Sequence, residues 1–156
     1  MKITFLWLLF ILTAVGIKAQ TIDKLIDQYS NNKNCEYVSI QKGLFNLTQW
    51  LGATDIDKDT KEVLSRIKTL KILTINLDPK AEMRHHFQTE LNTLLKNGNF
   101  EKMMVTKNKD DHSTFYGSTD KNNNAELIIE SQNEDQLSVI MMKGNLSHED
   151  LEKIAK

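Results

Sequence analysis

Three hydrophobic patterns succeed one another along this chain: a nearly unbroken apolar run at its start, apolar positions at helical spacing through the middle, and a period-two alternation towards the end. In the helical stretch, Ile22, Leu25, Ile26 and Tyr29 stand at i, i+3, i+4 and i+7. They form one stripe of an amphipathic helix that Thr21 caps and Ser30-Asn31-Asn32 stops. Residues 36–41 read as a strand. Leu44, Leu47, Trp50 and Leu51 return to helical spacing between Gly43 and Gly52. Asp59-Thr60-Lys61-Glu62 has the form of a cap with a carboxylate three residues on, opening a short helix that carries Val63, Leu64 and Ile67.

Leu70 through Leu77 is rich in Leu and Ile with little alternation, the pattern of a central strand covered on both faces. Asp78-Pro79 ends it and places the only proline at the start of a helix over residues 80–96. Met83, Phe87, Leu91, Leu94 and Leu95 mark the buried side of that helix, and Asn97-Gly98 closes it. The period then changes to two. Phe100–Lys107, Ser113–Thr119, Ala125–Gln132 and Leu137–Lys143 are predicted strands separated by short polar turns, which make successive strands antiparallel. Ala125, Leu127 and Ile129 share the packed face, and Glu126 and Glu130 point to the wetter one. Ser147 with Asp150 caps a last helix, where Leu146 and Leu151 hold the positions of a hydrophobic staple. The predicted fold class is α+β. It is an antiparallel sheet of about five to six strands, ending in a C-terminal four-strand meander, with helices mainly on one face.

The opening run has its own meaning. Lys2 precedes an apolar stretch from Ile3 to Ile17, broken only by Thr4, Thr13 and Gly16, and Ala19 stands just before a polar start at Gln20. That is the layout of a secretory signal peptide. At about 15 residues the run falls short of the roughly 18–20 that cross a bilayer as a helix. The expected organisation is a signal peptide over residues 1–19 and a single α+β domain over 20–156. The product is expected in the periplasm or outside the cell, soluble after cleavage. No cysteine lies between Val15 and Thr21, so there is no thiol for a lipid anchor. Cleavage removes Lys2 and Lys18 and no acid, moving the formal net charge from −1 to −3. Such mild acidity offers no basic footprint for nucleic acid and no cationic helix for a membrane surface. Neither partner is expected.

Cys35 is the only cysteine, which excludes an internal disulfide and leaves stability to packing. A lone exported thiol either pairs between chains or is buried as a small apolar residue. Its setting before Tyr37-Val38-Ser39-Ile40 favours the buried, inert role. Of the four histidines, His85 and His86 are adjacent on a helix and diverge, so they do not form a zinc-protease pair. Glu82, His86 and Glu90 at i, i+4 and i+8 are the one spacing suited to a divalent cation or a pH-sensitive contact. The plainer reading is a solvated flank beside the Met83–Phe87–Leu91 stripe. His112 in an acidic turn and His148 in a helix first turn read as exposed polar residues. Met103-Met104 and Met141-Met142 have thioethers suited to Cu(I). Neighbours on a strand face opposite sides, however, which makes them core filling. Asn46-Leu47-Thr48 and Asn145-Leu146-Ser147 match the N-glycosylation pattern, without meaning in a bacterial protein. Serine-nucleophile and phosphate-cradling glycine motifs are absent from the sequence. No cofactor is expected.

Tyr37-Val38-Ser39-Ile40-Gln41-Lys42-Gly43-Leu44-Phe45 runs from a strand through Lys-Gly into a helix. The segments Ile67–Leu77, Phe100-Glu101-Lys102-Met103-Met104-Val105, Ala125-Glu126-Leu127-Ile128-Ile129 and Met142-Lys143-Gly144-Asn145-Leu146 follow in order. In this order the chain resembles a family of small exported Bacteroidetes proteins catalogued as domain of unknown function 4252. The resemblance covers nearly the whole chain after the leader, and the order carries it, because each joint alone is ordinary. It implies no activity, ligand or catalytic residue. Many members look like lipoproteins, and this chain departs from them in lacking the lipid-attachment cysteine, which favours a soluble periplasmic form. The resemblance further implies a place near envelope regulation, in sensing or responding.

The functional expectation is an exported, non-enzymatic protein that binds a protein or envelope component, through the exposed face of the meander or its edge strand. The alternatives are a metal-dependent hydrolase built on Glu82, His86 and Glu90, and a carrier holding a small ligand between helices and sheet.

Overall fold

The computed structural model describes residues 20–41, 58–76 and 82–154. In chain order it contains α1 (Ile22–Tyr29), β1 (Cys35–Gln41), α2 (Lys58–Ser65), β2 (Ile67–Asn76), α3 (Glu82–Asn97), β3 (Glu101–Lys107), β4 (His112–Thr119), β5 (Asn124–Gln132), β6 (Gln136–Asn145) and α4 (His148–Ile154). The segment expected to be a signal peptide, the helix expected over 44–51, and the turn through Leu77 and Pro79 lie outside the described residues.

The six strands form one open sheet in the order β1-β2-β6-β5-β4-β3, antiparallel at every junction. This is the expected α+β class with its antiparallel sheet, but the four described helices divide two and two between the faces where most were expected on one. Strands β3 to β6 are the meander, and β2 sits between β1 and β6. It is buried at Lys71, Leu73 and Ile75 on one face, but on the other only Ile67 and Leu70 are buried and Ile72 and Thr74 are not, so the covering expected on both faces is partial. The meander turns are built by side chains competing for the backbone. Asp120 Oδ1 accepts the N–H groups of Asn122 and Asn124 at 2.7 and 2.9 Å, while Asn123 takes a left-handed φ of 57°. Asn133 Oδ1 does the same for Asp135 and Gln136 at 2.9 and 2.8 Å.

On one face, α1 and α3 close a core of Ile22, Leu25, Ile26, Phe87, Leu91 and Leu95 over Leu73, Ile75, Ile128, Leu137, Val139 and Met141. The stripes read from the sequence are the ones that pack. Thr21 Oγ1 accepts the Lys24 N–H at 3.3 Å, capping α1 as expected. The shorter α2 and α4 cover one end of the opposite face, where Val63, Leu146 and Leu151 pack with Leu70, Ala125 and Leu127. The Ser147–Asp150 cap forms: Ser147 N–H donates to Asp150 Oδ2 at 2.8 Å and Asp150 N–H to Ser147 Oγ at 3.2 Å. Leu146 and Leu151 are both buried, which completes the staple.

Four further details differ from the sequence reading. Helix α2 begins at Lys58, so Asp59 lies in its first turn, and Ile67 belongs to β2 instead of the helix. The strand begins early because Gly144 lets the Arg66–Ile67 backbone come against β6; a Cβ there would meet the Arg66 carbonyl and, at 2.9 Å, Ile67 Cα. At the end of α3 the left-handed residue is Asn99, with φ 54°, not Gly98. Gly98 is needed because a Cβ would stand 2.8 Å from the Phe100 ring, which tucks back onto the core. Third, a bulge between Lys102 and Met104 breaks the alternation in β3. Met103 therefore packs with the α2/α4 cluster, and Met104 stands opposite Phe115 on the same face, whereas Met141 and Met142 do divide between faces. Fourth, Glu126 and Glu130 lie on the face beneath α1 and α3, beside a fully buried Ile128, and Glu130 accepts Gln88 Nε2 at 3.0 Å.

Candidate functional site

The sheet face under α1 carries a chain of charges that begins in the core. Lys71 lies in the apolar run of β2, and its side chain is only 5% exposed. Asp23 and Asp27, one helical turn apart on α1, reach down to it. Lys71 Nζ donates to Asp27 Oδ1 at 2.6 Å and pairs with Asp23 Oδ1. Tyr37 on β1 donates its hydroxyl to the same Asp27 oxygen at 2.9 Å. Asp23 Oδ2 faces Lys143 Nζ at 3.5 Å, and Lys143 faces Glu126 Oε1 at 3.6 Å. Asp27, Lys71, Asp23, Lys143 and Glu126 thus alternate in sign along the sheet face, with Lys71 the buried member.

Burial works against the charge on Lys71, but the two aspartates outweigh it and hold the ammonium above its ordinary pKa. Burial likewise opposes charge on Asp23, where Lys71 and Lys143 prevail and lower the carboxyl. At Glu126 burial prevails over Lys143, and the carboxyl is raised. The rim end of this chain opens into a cleft of about 450 Å³, lined by Lys68, Thr69, Ser118, Asp120, Glu126 and Lys143 among others. Its floor follows from register: Thr69 pairs with Lys143, Lys143 with Glu126, and Glu126 with Ser118. The cleft offers hydrogen-bonding groups and both signs of charge, suited to holding a polar ligand.

Of the residues singled out from the sequence, the structure joins His86 and Glu90. His86 Nδ1 lies 2.6 Å from Glu90 Oε1, and Tyr29 Oη lies 2.9 Å from His86 Nδ1 and donates to Glu90 Oε1 at 3.2 Å. Gln20 donates to the other Glu90 oxygen at 3.1 Å. This cluster fastens α1 to α3. Burial, then the Glu90 carboxylate, pushes the Tyr29 hydroxyl up to about 12. Glu82 is not drawn in: among the described residues, no group of three or more His, Cys, Asp or Glu side chains is placed to hold a metal ion. His112 is not in the turn but starts β4, half-buried, on a second cleft of about 290 Å³ with Arg84 and Gln132. His148 is exposed at the start of α4. Cys35 is free and half-buried at the edge of the main core, where burial raises its thiol pKa and keeps it protonated.

The opposite face of the sheet holds what the sequence reading missed. Cross-strand partners align Val38, Ile72, Ile140, Ile129, Phe115 and Met104 in one row across all six strands. None of the six is buried. Beside it runs a polar row, Glu36, Thr74, Ser138, Ser131, Ser113 and Thr106. Its hydroxyls pair across strands, Thr74 with Ser138 at 3.1 Å and Ser113 with Ser131 at 2.9 Å. The rows emerge only when six distant segments are set in register, so no local signal marks them. Lys71 did leave a trace: a lysine inside an apolar strand, with Asp23 and Asp27 flanking a helical stripe.

These features define an α+β domain built on an open six-stranded antiparallel sheet, with its long helix on one face and a mixed apolar and hydroxyl surface on the other. The chain belongs to the family described as Domain of unknown function (DUF4252), whose model matches residues 29–154. That span runs from the end of α1 to the end of α4. No curated protein and no solved structure matches the chain. Among the described residues, no helix is long and apolar enough to cross a membrane.

Proposed function

We propose that the chain is an exported, non-catalytic interaction protein of a bacterial envelope, of Bacteroidetes origin, that binds a protein partner on the sheet face opposite α1 and α3. The observation that carries this reading is the six-residue apolar row, Val38 to Met104, which leaves large side chains partly in water across the full width of the sheet. Val38 is exposed and the other five are half-buried, and an apolar row that keeps some contact with water beside polar groups is the kind of surface protein contacts use. The flanking hydroxyl row supplies adaptable hydrogen bonds. Export rests on the leader pattern before Gln20.

The test places a photo-crosslinking side chain at Phe115, and separately at exposed Lys61 as a control, in the native host. A defined protein captured from Phe115 and not from Lys61 supports the reading; identical products from both positions overturn it. The mature N-terminus, read from the same material, is expected at Gln20.

The metal-dependent alternative draws on the 2.6 Å approach of His86 to Glu90. Stoichiometric metal in purified protein, lost in His86→Ala, would favour it over the binding role.

A further inference from the structure

The two outer edges of the sheet are not equivalent. Strand β3 is guarded: a bulge lies between Lys102 and Met104, and Glu101, Lys102 and Lys107 stud its seven residues. Bulges and edge lysines are what blunt strand addition. Strand β1 has neither device. Its seven residues pair with β2 in unbroken register, and Glu36 is its one charged side chain, tied back by Asn76 Nδ2 at 3.3 Å. Among the described residues, nothing pairs with its outer side.

The hydrogen bonds fix which groups face outward. Asn76 N–H donates to the Asn34 carbonyl at 3.0 Å, so Asn34 and, two by two, Glu36, Val38 and Ile40 exchange bonds with β2. The main-chain groups of Tyr37, Ser39 and Gln41 are left pointing away from the sheet.

We propose that β1 pairs with β1 of a second copy of this chain, antiparallel and centred on Val38. Val38 is the midpoint of the strand and, at 38% exposed, is with Val105 of β3 one of the exposed large apolar residues among the described residues. A two-fold axis there sets Val38 against Val38, Tyr37 against Ser39, Glu36 against Ile40 and Cys35 against Gln41. Every pair shares a face, and no like charges meet. The outward groups of Tyr37 and Ser39 then bond each other across the seam, and Val38 falls in the close, non-hydrogen-bonded pair. A second copy does what an unrelated strand would not: it continues the apolar row from Val38 into its own, doubling its length. A seven-residue seam buries less than the roughly 1,200 Å² of standard stable interfaces, so the dimer dissociates readily and its population rises with concentration. The seam meets the partner surface proposed above at Val38, where the apolar row reaches the edge, but capture at Phe115, four strands away, does not depend on it.

The test uses the full mature chain in a Cys35→Ser background, which removes the native thiol. Val38→Cys and Val105→Cys, one thiol on each edge, are oxidised at matched concentrations. The expected result is at least about fivefold more disulfide-linked dimer from Val38→Cys, because close non-hydrogen-bonded pairs meet disulfide geometry. Equal yields overturn the seam. Independently, sedimentation of the wild-type chain is expected to show concentration-dependent dimer that Val38→Lys abolishes while the thermal unfolding midpoint is kept. An association unchanged by Val38→Lys overturns it as well.

Discussion

The carboxylate of Asp150 accepts the Arg66 guanidinium at 2.9 Å, joining the cap of α4 to the turn between α2 and β2 across 84 positions of sequence. The same oxygen accepts the Ser147 N–H and hydroxyl, at 2.8 and 3.0 Å. One side chain therefore caps the start of α4 and ties it to the turn that leads into β2. The Ser147 backbone N–H, then its hydroxyl and the Arg66 charge, hold the Asp150 carboxyl below its ordinary value against the effect of burial. Its contribution is complete above the unfolded pKa of about 3.9 and is lost as pH falls through the lowered folded value. Asp150→Ala is expected to cost about 1–2 kcal/mol in urea unfolding at neutral pH, the range of a lost helix cap. The deficit should vanish at the acid end of the titration, and a pH-independent deficit would contradict the assignment.

Glu126 has the opposite sign. Burial raises its folded pKa, so the folded state disfavours its charge and stability falls as pH rises through the ordinary glutamate range. Glu126→Gln is expected to raise the urea midpoint at neutral pH, with the gain disappearing below about pH 4. A loss of stability at neutral pH would show instead that the Lys143 contact at 3.6 Å outweighs the burial.

Lys71 is the strongest test of the charged chain. Lys71→Met keeps the apolar stem but takes the cation from between Asp23 and Asp27, leaving Asp23 only Lys143 at 3.5 Å. Breaking a fully buried pair costs roughly 3–5 kcal/mol. Because the two carboxylates are 36% and 51% exposed, about 2 kcal/mol is expected by denaturant unfolding. Adding Asp27→Asn to Lys71→Met should recover part of that loss. In the wild type the raised lysine pKa makes its contribution complete below about pH 10, its unfolded value, and lost as pH climbs through the folded one.

Gly144→Ala tests the joint that starts β2. The added methyl meets main-chain atoms of Arg66 and Ile67, which cannot swing aside as a side chain would. A cost of about 2–3 kcal/mol is expected, in the range of overpacking. Gly117→Ala is a useful comparison, since its nearest obstacle is the flexible Met103 side chain. It should cost less than half as much in the same assay.

Much of the fold was legible because its causes are local. The Ile22–Tyr29 and Phe87–Leu95 stripes, the Thr21 and Ser147 caps and the Asn- and Asp-rich meander turns each depend on residues a few positions apart. Where the reading slipped, a distant partner had intervened. Ile67 keeps helical spacing with Val63, yet the approach allowed by Gly144 draws it into the sheet. Glu126 and Glu130 look solvated beside Leu127 and Ile129, yet Glu126 is half-buried beside Lys143 and Asp23, and Gln88 of α3 donates to Glu130. His86 and Glu90 were visible as a spaced pair, but their partner Tyr29 lies on another helix.

By itself, then, the sequence determined the leader pattern, the kind and order of the elements, and the antiparallel meander, since turn chemistry and periodicity act over a few residues. Only the tertiary structure decided that β6 returns to pair with β2, and β2 with β1. That pairing brings Lys71 beneath Asp23 and Asp27, sets Lys143 beside Glu126, and lines up Val38 through Met104. The physical reason is register: a one-residue slip between strands would turn each row to the other face. Register across distant strands is set by the packing of the whole core, which no short segment encodes.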